Sequence, residues 1–387
     1  MKILYLEHPE ADFGSEQLSM GLRQILGDDN VVDFPYKYCV HGQDERFQGI
    51  DVKEFIRDNP KALPLVGYSI PFIWTIPSVG REYRYEEIKS MIKNGEFDFI
   101  IMTPRVVCQY YLGRLIRDFN HNIPPVILCD FEDYAVVRFD IATMFEPHIK
   151  FITKSSYDPN CLTDRPLKRK ENVYPLPLSS PLIGNPKFQF DDSNENKTID
   201  VSARLGLTRS LRKDVADSLK EIKEFIKEFQ FQGGLSLSDH STHIIRDGMH
   251  ICGDGGLTMI TELNSHLPYD QYLKELASSK ISVSMYGHSL AGPANRTWEI
   301  PSYNTLLMTE KMNVYYEHQF EDGKTCVLFN PEVKGDICNK VLYWLSDGME
   351  NERKKIVKAG HELLKEHHTC KARAQKLLEI AKTEGLV

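Results

Sequence analysis

The residues best equipped for chemistry lie in two short stretches. The first is Asn295-Arg-Thr-Trp-Glu299, followed by a turn and the apolar run Thr305–Glu310. A guanidinium and a carboxylate three residues apart meet at a helix start, where unpaired N–H groups and the dipole favour an anion. Phosphate is the natural guest, and the carboxylate of Glu299 can instead take ribose hydroxyls. Asn304 falls where a helix end wants a left-handed residue. The corner reads as a nucleotide-diphosphate site, although a solvated ion pair is the commoner use of R-x-x-E on a helix. The second stretch is Asp130-Phe-Glu-Asp133, just after the apolar run Pro125–Cys129. Carboxylates at the carboxyl end of a parallel strand stand where such sheets bind ligands. A general base needs only one placed carboxylate. A divalent cation would want more oxygen ligands than this stretch supplies. The bland alternative is a helix cap with acids in its first turn.

These residues need a frame, and the apolar runs supply one. Ile3–Leu6, Val31–Phe34, Phe97–Met102, Pro125–Cys129 and Lys150–Thr153 read as buried strands. Ser15 is the expected cap of a helix that turns Leu18, Leu22, Ile25 and Leu26 inward, and Tyr85–Lys93 and Val106–Phe119 read as further helices. Strands alternating with helices predict a parallel α/β sheet. Tyr36–Tyr83 is rich in Pro, Gly and aromatics, and is either a covering loop or a wall facing a second substrate.

Between Tyr174 and Lys197 the composition shifts to Pro175, Pro177, Pro181 and Pro186, then Asp191-Asp-Ser-Asn-Glu-Asn196. This predicts a connector over 176–197, separating a domain at 1–175 from one at 198–387. A second alternating pattern then begins. Ile199–Ala203 reads as a strand, and Arg204-Leu-Gly-Leu-Thr-Arg209-Ser-Leu-Arg-Lys213 as a basic turn into a helix over 215–229. That turn could cradle a diphosphate, or Arg212 and Lys213 could simply face water. His250–Gly256 has the shape of a strand entering a Gly-rich turn, a weak signal alone. Asp239, His240, His243, Asp247 and His250 could ligate metal, but without a recognised spacing. Pro268–Ser279 predicts an amphipathic helix and Lys280–Met285 a strand. Val327–Phe329 is a short strand, and helices over 337–345, 351–367 and 371–382 end the chain.

Composition narrows the class. With 387 residues the chain favours two domains. A net charge of -8, from 47 basic and 55 acidic residues, argues against coating nucleic acid. Eight cysteines without paired spacing predict reduced thiols in a cytoplasm. No apolar run reaches the length of a membrane span, and the first eight residues do not resemble a signal peptide.

From about Thr198 onward an ordered set of motifs carries a resemblance. The set is the basic strand-turn-helix, Leu267-Pro-Tyr-Asp-Gln-Tyr272, Ser279-Lys-Ile-Ser-Val-Ser284, Arg296-Thr-Trp-Glu299, Leu306–Glu310, Val327-Leu-Phe329 and Gly360…His367-His-Thr…Arg373. This half resembles the glycosyltransferase family 1-like domain of the spore-maturation (CgeB-type) proteins. The first half is similar only loosely, through Asp130-Phe-Glu-Asp133 and Phe151-Ile-Thr-Lys154. The resemblance implies an α/β protein of GT-B type: two Rossmann-like domains facing across a cleft, the last helix returning to the first. It implies a glycosyltransferase of the hexosyltransferase kind. A sugar would pass from a nucleoside-diphosphate donor to an unknown acceptor, a glycan, protein or small molecule. No metal or other cofactor is expected. Glu299 would hold the donor ribose. Asn295, Arg296 and Thr297 would lie near the diphosphate, with Gly253 in the donor-side turn and Arg204 and Arg209 in the basic turn that neutralises the leaving group. Preorganised cations and N–H donors can stabilise that growing charge. The acceptor's base would come from His8, Asp130, Glu132 or Asp133. Related retaining enzymes place a second Glu eight residues before the ribose-binding one. Here that position is Ala291, which leaves retention or inversion open. The same departure keeps a second class in view, a nucleotide- or sugar-binding protein without catalysis. A third is an epimerase or phosphorylase, the latter needing a Schiff-base lysine that no motif indicates.

Overall fold

The computed structural model describes residues 1–8, 12–37, 82–132, 137–158, 172–183, 197–206, 209–236, 245–246, 249–251, 257–259, 269–286, 292–311 and 314–387. Most of the stretch 36–83 lies outside them, as do Asp133, Gly253, Ala291 and four of the five ligand-capable residues between 239 and 250. The described chain forms two compact units. One comprises Met1–Glu132, Val136–Pro181 and Thr369–Val387, the other Leu182–His368. The divide therefore falls at residues 181 and 182, inside the stretch expected as a connector. The last residues, placed within 198–387 with the final helix expected to return to the first domain, are counted in the first unit.

The first unit begins with β1 (Ile3–Leu6), α1 (Phe13–Leu26) and β2 (Val31–Phe34). After α2 (Tyr85–Lys93) come β3 (Phe99–Met102), α3 (Val106–Asp118) and β4 (Val126–Asp130). Helix α4 (Phe139–Met144), β5 (Ile149–Lys154) and β6 (Val173–Pro175) complete the alternation. The six strands are all parallel, in the order β2-β1-β3-β4-β5-β6. Both faces are covered, which is why the strands are apolar without alternation. Leu4, Leu6, Ile100 and Met102 pack with Ile88, Leu112 and Leu115. Ile3, Tyr5, Ile101 and Phe151 pack on the opposite face with Leu18, Leu22, Leu377 and Ile380. The last two come from the final helix of the chain, which crosses α1 closely enough that a Cβ on Gly21 would sit 2.0 Å from the Cys370 carbonyl oxygen.

Two expectations change here. The cap of α1 is Asp12, not Ser15. Asp12 is extended (φ -146°) and accepts the Ser15 N–H, while the Ser15 hydroxyl donates to buried Tyr5. The sheet also has one strand more than expected, because Val173–Pro175 pairs with β5 at its edge.

The second unit is built on β7 (Ile199–Gly206), α5 (Ser210–Phe225) and β8 (Phe231–Ser236). A small antiparallel sheet, β9 (Ile245–Arg246), β10 (Met249–Ile251) and β11 (Leu257–Met259), follows. Then come α6 (Tyr269–Ser278), β12 (Ser279–Ser284), α7 (Asn295–Glu299), β13 (Leu306–Glu310) and β14 (Val327–Phe329). Helices α8 (Asp336–Leu345), α9 (Glu350–His367) and α10 (Cys370–Thr383) end the chain, the last belonging to the first unit. Strands β14-β13-β12-β7-β8 form a second parallel sheet. One face carries Val201, Ala203, Leu205, Ile281 and Val283 onto Val215, Leu219, Val341 and Ile356. The other face is polar. There Ser202 donates to Ser282 (2.9 Å), and Ser284 shares a hydrogen bond with Thr297 (2.8 Å).

Each sheet starts in the middle, runs outward on one side, then returns to the other. The order reverses between β1 and β3 in the first and between β7 and β12 in the second. Ligands of open α/β sheets bind at the carboxyl ends of the strands at such points.

Candidate functional site

At the reversal of the second sheet, three charged side chains tie the strand ends together. Arg209 is the residue before α5. Its Nη1 donates to Glu310 Oε1 (2.7 Å), and Glu310 is the last residue of β13. The same oxygen accepts the backbone N–H of Tyr286 (2.5 Å), just after β12. Arg212 donates from Nη1 to Gly206 O and from Nη2 to Met285 O, each at 2.7 Å, so one guanidinium spans the ends of β7 and β12. Arg212 is buried, and its reading as a water-facing residue gives way to this role. Lys213 does lie partly exposed, paired with Asp217 one turn on. Arg209 and Glu310 are also buried. The Nε–H of Arg209 has no acceptor among the described residues. A buried guanidinium with a spare donor, held at a helix start by its counter-ion, is equipped to take an anionic oxygen.

Arg204 stands elsewhere. The strand continues three residues beyond its expected end, so Arg204 lies within β7 rather than in the turn. Alternation puts it on the polar face, between inward Ala203 and Leu205. It meets Glu275 of α6 there in a bidentate pair, Nε at 3.0 and 3.1 Å and Nη2 at 2.6 Å. It is therefore held on the sheet face, outside the turn expected to cradle the diphosphate.

Arg296 and Glu299 are brought together as the spacing implies, by a third residue that the sequence reading quoted within a motif but gave no role in the site. Tyr272 of α6, one turn before Glu275, donates its hydroxyl to Glu299 Oε2 (2.9 Å) and accepts from Arg296 Nε (3.2 Å). The guanidinium also lies over the Tyr272 ring, 5.6 Å from its centre. Burial first, and then the Glu299 carboxylate, push the Tyr272 hydroxyl well above its ordinary value, so it stays a donor at all working pH. Trp298 between them is fully buried against Tyr316 and Phe320, which fixes the orientation of α7. Asn304 has φ 52° and ψ 39°, the left-handed geometry expected of it, and feeds the chain into β13. Asn295 opens α7, and Thr297 is buried with its hydroxyl on Ser284.

In the first unit the predicted acid–base residues separate by environment. Asp130 ends β4 opposite Lys154 at the end of β5, and both are fully buried. Lys154 Nζ donates to Asp130 Oδ1 (2.9 Å) and to the Glu132 carbonyl (2.8 Å). Asp130 also accepts the N–H of Glu132 (3.0 Å) and, at 3.4 Å, that of Arg138. It is a loop anchor with its oxygens occupied, not a base open to a substrate. Glu132 keeps its carboxylate partly exposed, 3.3 and 3.4 Å from Arg138 Nη1. Arg138 also holds Asp140 at 2.9 Å. His8 is half-buried beyond β1.

Beside His8, at the reversal of the first sheet, lies a cluster the sequence reading missed. Lys37, fully buried, is 3.0 Å from Glu16 Oε1 and 3.5 Å from Glu7 Oε2. Arg23 pairs with Asp33 at 2.7 Å. Burial drives the Glu7 carboxyl up to about 8, against the pull of Lys37. Glu16 is raised for the same first reason. A charged residue abutting an apolar run was the available signal, and Glu7 and Glu310 both carry it.

No cluster of three or more His, Cys, Asp or Glu among the described residues is placed to hold a metal ion. None of the described helices is long and apolar enough to cross a membrane.

Set beside known proteins, this mixed α/β architecture is that of the GT-B glycosyltransferases. A family model for glycosyl transferase-like proteins matches residues 239–379. A sucrose-phosphate synthase from Thermosynechococcus elongatus has a TM-score of 0.55 at 13% identity, covering 99% of each chain. HepE from Anabaena, solved with UDP and glucose, has a TM-score of 0.52 at 11% identity, covering 99% of this chain and 100% of that one. A glycosyltransferase from Rickettsia africae follows at 0.51 and 11%, covering 99% and 98%. No curated protein matches the sequence.

Proposed function

We propose that the protein is a glycosyltransferase of the CgeB-type group that moves a hexosyl residue from a nucleoside-diphosphate donor to an acceptor hydroxyl. The observation that carries this reading is Arg209, buried on Glu310 at the start of α5 with one N–H unmatched among the described residues. Arg209 and the α5 N-terminus would face the diphosphate at the second sheet's reversal, where open α/β sheets bind ligands. Negative charge grows there as the glycosidic bond breaks, and cations fixed beforehand stabilise it without a metal. Glu299, oriented by Tyr272, would take the ribose hydroxyls, with Arg296, Asn295 and Thr297 beside it. Arg204, which lies within β7 rather than in the turn before α5, is left out of the diphosphate role. The family match over 239–379 covers Glu299 and Arg296 and supports a donor site in that half. We place the reaction in the cytoplasm, with a sugar nucleotide as its small-molecule partner.

The pairing of both Arg204 and Arg209 with carboxylates favours, as a second reading, a binding protein that holds a sugar nucleotide without transferring the sugar. Incubation with UDP-glucose, UDP-N-acetylglucosamine, GDP-mannose and ADP-glucose separates the two. Release of free nucleoside diphosphate above the uncatalysed rate supports the enzyme. Saturable binding of one donor without release supports the second reading, and neither binding nor release overturns both.

A further inference from the structure

A carboxylate stands beside the cation assigned to the leaving group, which is an unhelpful neighbour for a site that only has to bind an anion. Glu310 ends β13 and is buried. Its Oε1 takes Arg209 Nη1 at 2.7 Å and the Tyr286 N–H at 2.5 Å, all within the second unit. Nη1 lies on the far side of the guanidinium from the edge formed by Nε and Nη2. That edge can meet a phosphate side-on, and it makes no hydrogen bond among the described residues. Glu310 thus fixes the guanidinium and leaves its phosphate-binding edge open.

Holding a guanidinium here does not require a charge. Arg212, three residues on, is held by two carbonyls, Gly206 O and Met285 O. Stability is also a weak reason, because desolvating two buried charges offsets most of their attraction. What Glu310 has and a carbonyl lacks is a full negative charge, which opposes the pull of Arg209 on any anion. The opposition grows with the charge of that anion. In a sugar donor the diphosphate is esterified at both ends. After transfer its outer phosphate is free and carries roughly one more negative charge at neutral pH. Glu310 therefore works against the product more than against the donor.

We propose that Glu310 is a positioning residue with a second task, product release. It orients Arg209 toward the diphosphate, and its charge keeps the released nucleoside diphosphate from being gripped more tightly than the sugar donor. The inference rests on the glycosyltransferase reading and concerns the donor site of that reading.

The test uses the full-length protein and whichever of UDP, GDP and ADP the wild type binds, with the matching nucleoside and sugar nucleotide (UDP-glucose, GDP-mannose or ADP-glucose). Glu310→Gln keeps an oxygen for Arg209 and for the Tyr286 N–H, and removes only the charge. In calorimetry it should bind the diphosphate about 5-fold tighter, the sugar nucleotide less than about 2-fold tighter, and the nucleoside as the wild type does. Added diphosphate should inhibit turnover at a correspondingly lower concentration. A merely structural Glu310 would instead weaken all three ligands on replacement. Glu310→Met is the second neutral variant, and thermal melting shows which variants are folded. Diphosphate affinity that is unchanged or weaker in a folded neutral variant overturns the proposal, as does equal tightening of diphosphate and sugar nucleotide. Failure of both variants to fold also overturns it, since the carboxylate then serves stability. A wild type that binds neither diphosphate nor sugar nucleotide, or an Arg209→Ala variant that binds both as before, overturns the donor-site reading itself.

Discussion

Glu7 offers the sharpest test of how charge is arranged in the first unit. Within its cluster, three buried carboxylates (Glu7, Glu16 and Asp33) share two buried cations (Lys37 and Arg23). Among the described residues one negative charge is in excess, and burial raises Glu7 from its ordinary 4.5 to about 8, so Glu7 is the carboxyl that carries a proton at neutral pH. The folded chain therefore keeps a proton that the unfolded chain releases above pH 4.5. Its stability contribution is full below pH 4.5 and is lost progressively as pH rises toward 8. At about 1.4 kcal/mol per pH unit, the interval from 4.5 to 7 corresponds to roughly 3 kcal/mol. Glu7→Gln keeps the shape of the neutral acid, leaves Lys37 on Glu16, and cannot titrate. The variant should match the wild type near pH 4.5 and exceed it by about 3 kcal/mol at pH 7. For a domain of this size that is a melting shift of roughly 6–12 °C. Thermal and denaturant unfolding of both proteins at pH 5, 7 and 8 measure the gap. A variant that is weaker than the wild type at pH 7 and 8 would refute the reasoning, because Glu7 would then be the ionised partner of Lys37.

Other expectations follow from single contacts. Lys154→Ala leaves Asp130 buried without its cation and should cost about 3–5 kcal/mol in denaturant unfolding. Asn304→Ile forces a β-branched residue to φ 52° and should cost about 1–2 kcal/mol, whereas Asn304→Gly should be nearly neutral by the same measurement. Gly21→Ala would place a methyl 2.0 Å from the Cys370 carbonyl, and should lower the melting temperature by separating α1 from α10. Tyr272→Phe removes the hydrogen bond that orients Glu299 and should weaken UDP binding about 5- to 10-fold in calorimetry, with the fold intact by circular dichroism.

Several features of this arrangement were legible because they are local. Apolar runs between helical patterns predict both parallel sheets, and Arg296 and Glu299 converge because three residues make one helical turn. The left-handed Asn304 announces the turn into β13 in the same way. What was not legible depends on distant partners. Arg212 looks like a water-facing helix residue until the carbonyls of Gly206 and Met285, the latter 73 residues away, are seen to need its guanidinium. Arg204 appeared to belong to a turn because the next apolar residue is followed by Gly206, yet the polar face of β7 and the carboxylate of Glu275 hold it in the strand. β6 has three residues and an edge position, too short for any periodicity to reveal. Lys37 reaches back to Glu16 across the first unit's core, and no pattern in the chain foretells that pairing.

Titration with UDP, GDP and ADP by calorimetry addresses the central claim most directly. The wild-type protein should bind at least one of the three, with the affinity lost in both Arg209→Ala and Glu299→Ala while each variant remains folded. Undiminished nucleoside-diphosphate binding in the two variants would contradict the placement of the donor on the second unit's sheet.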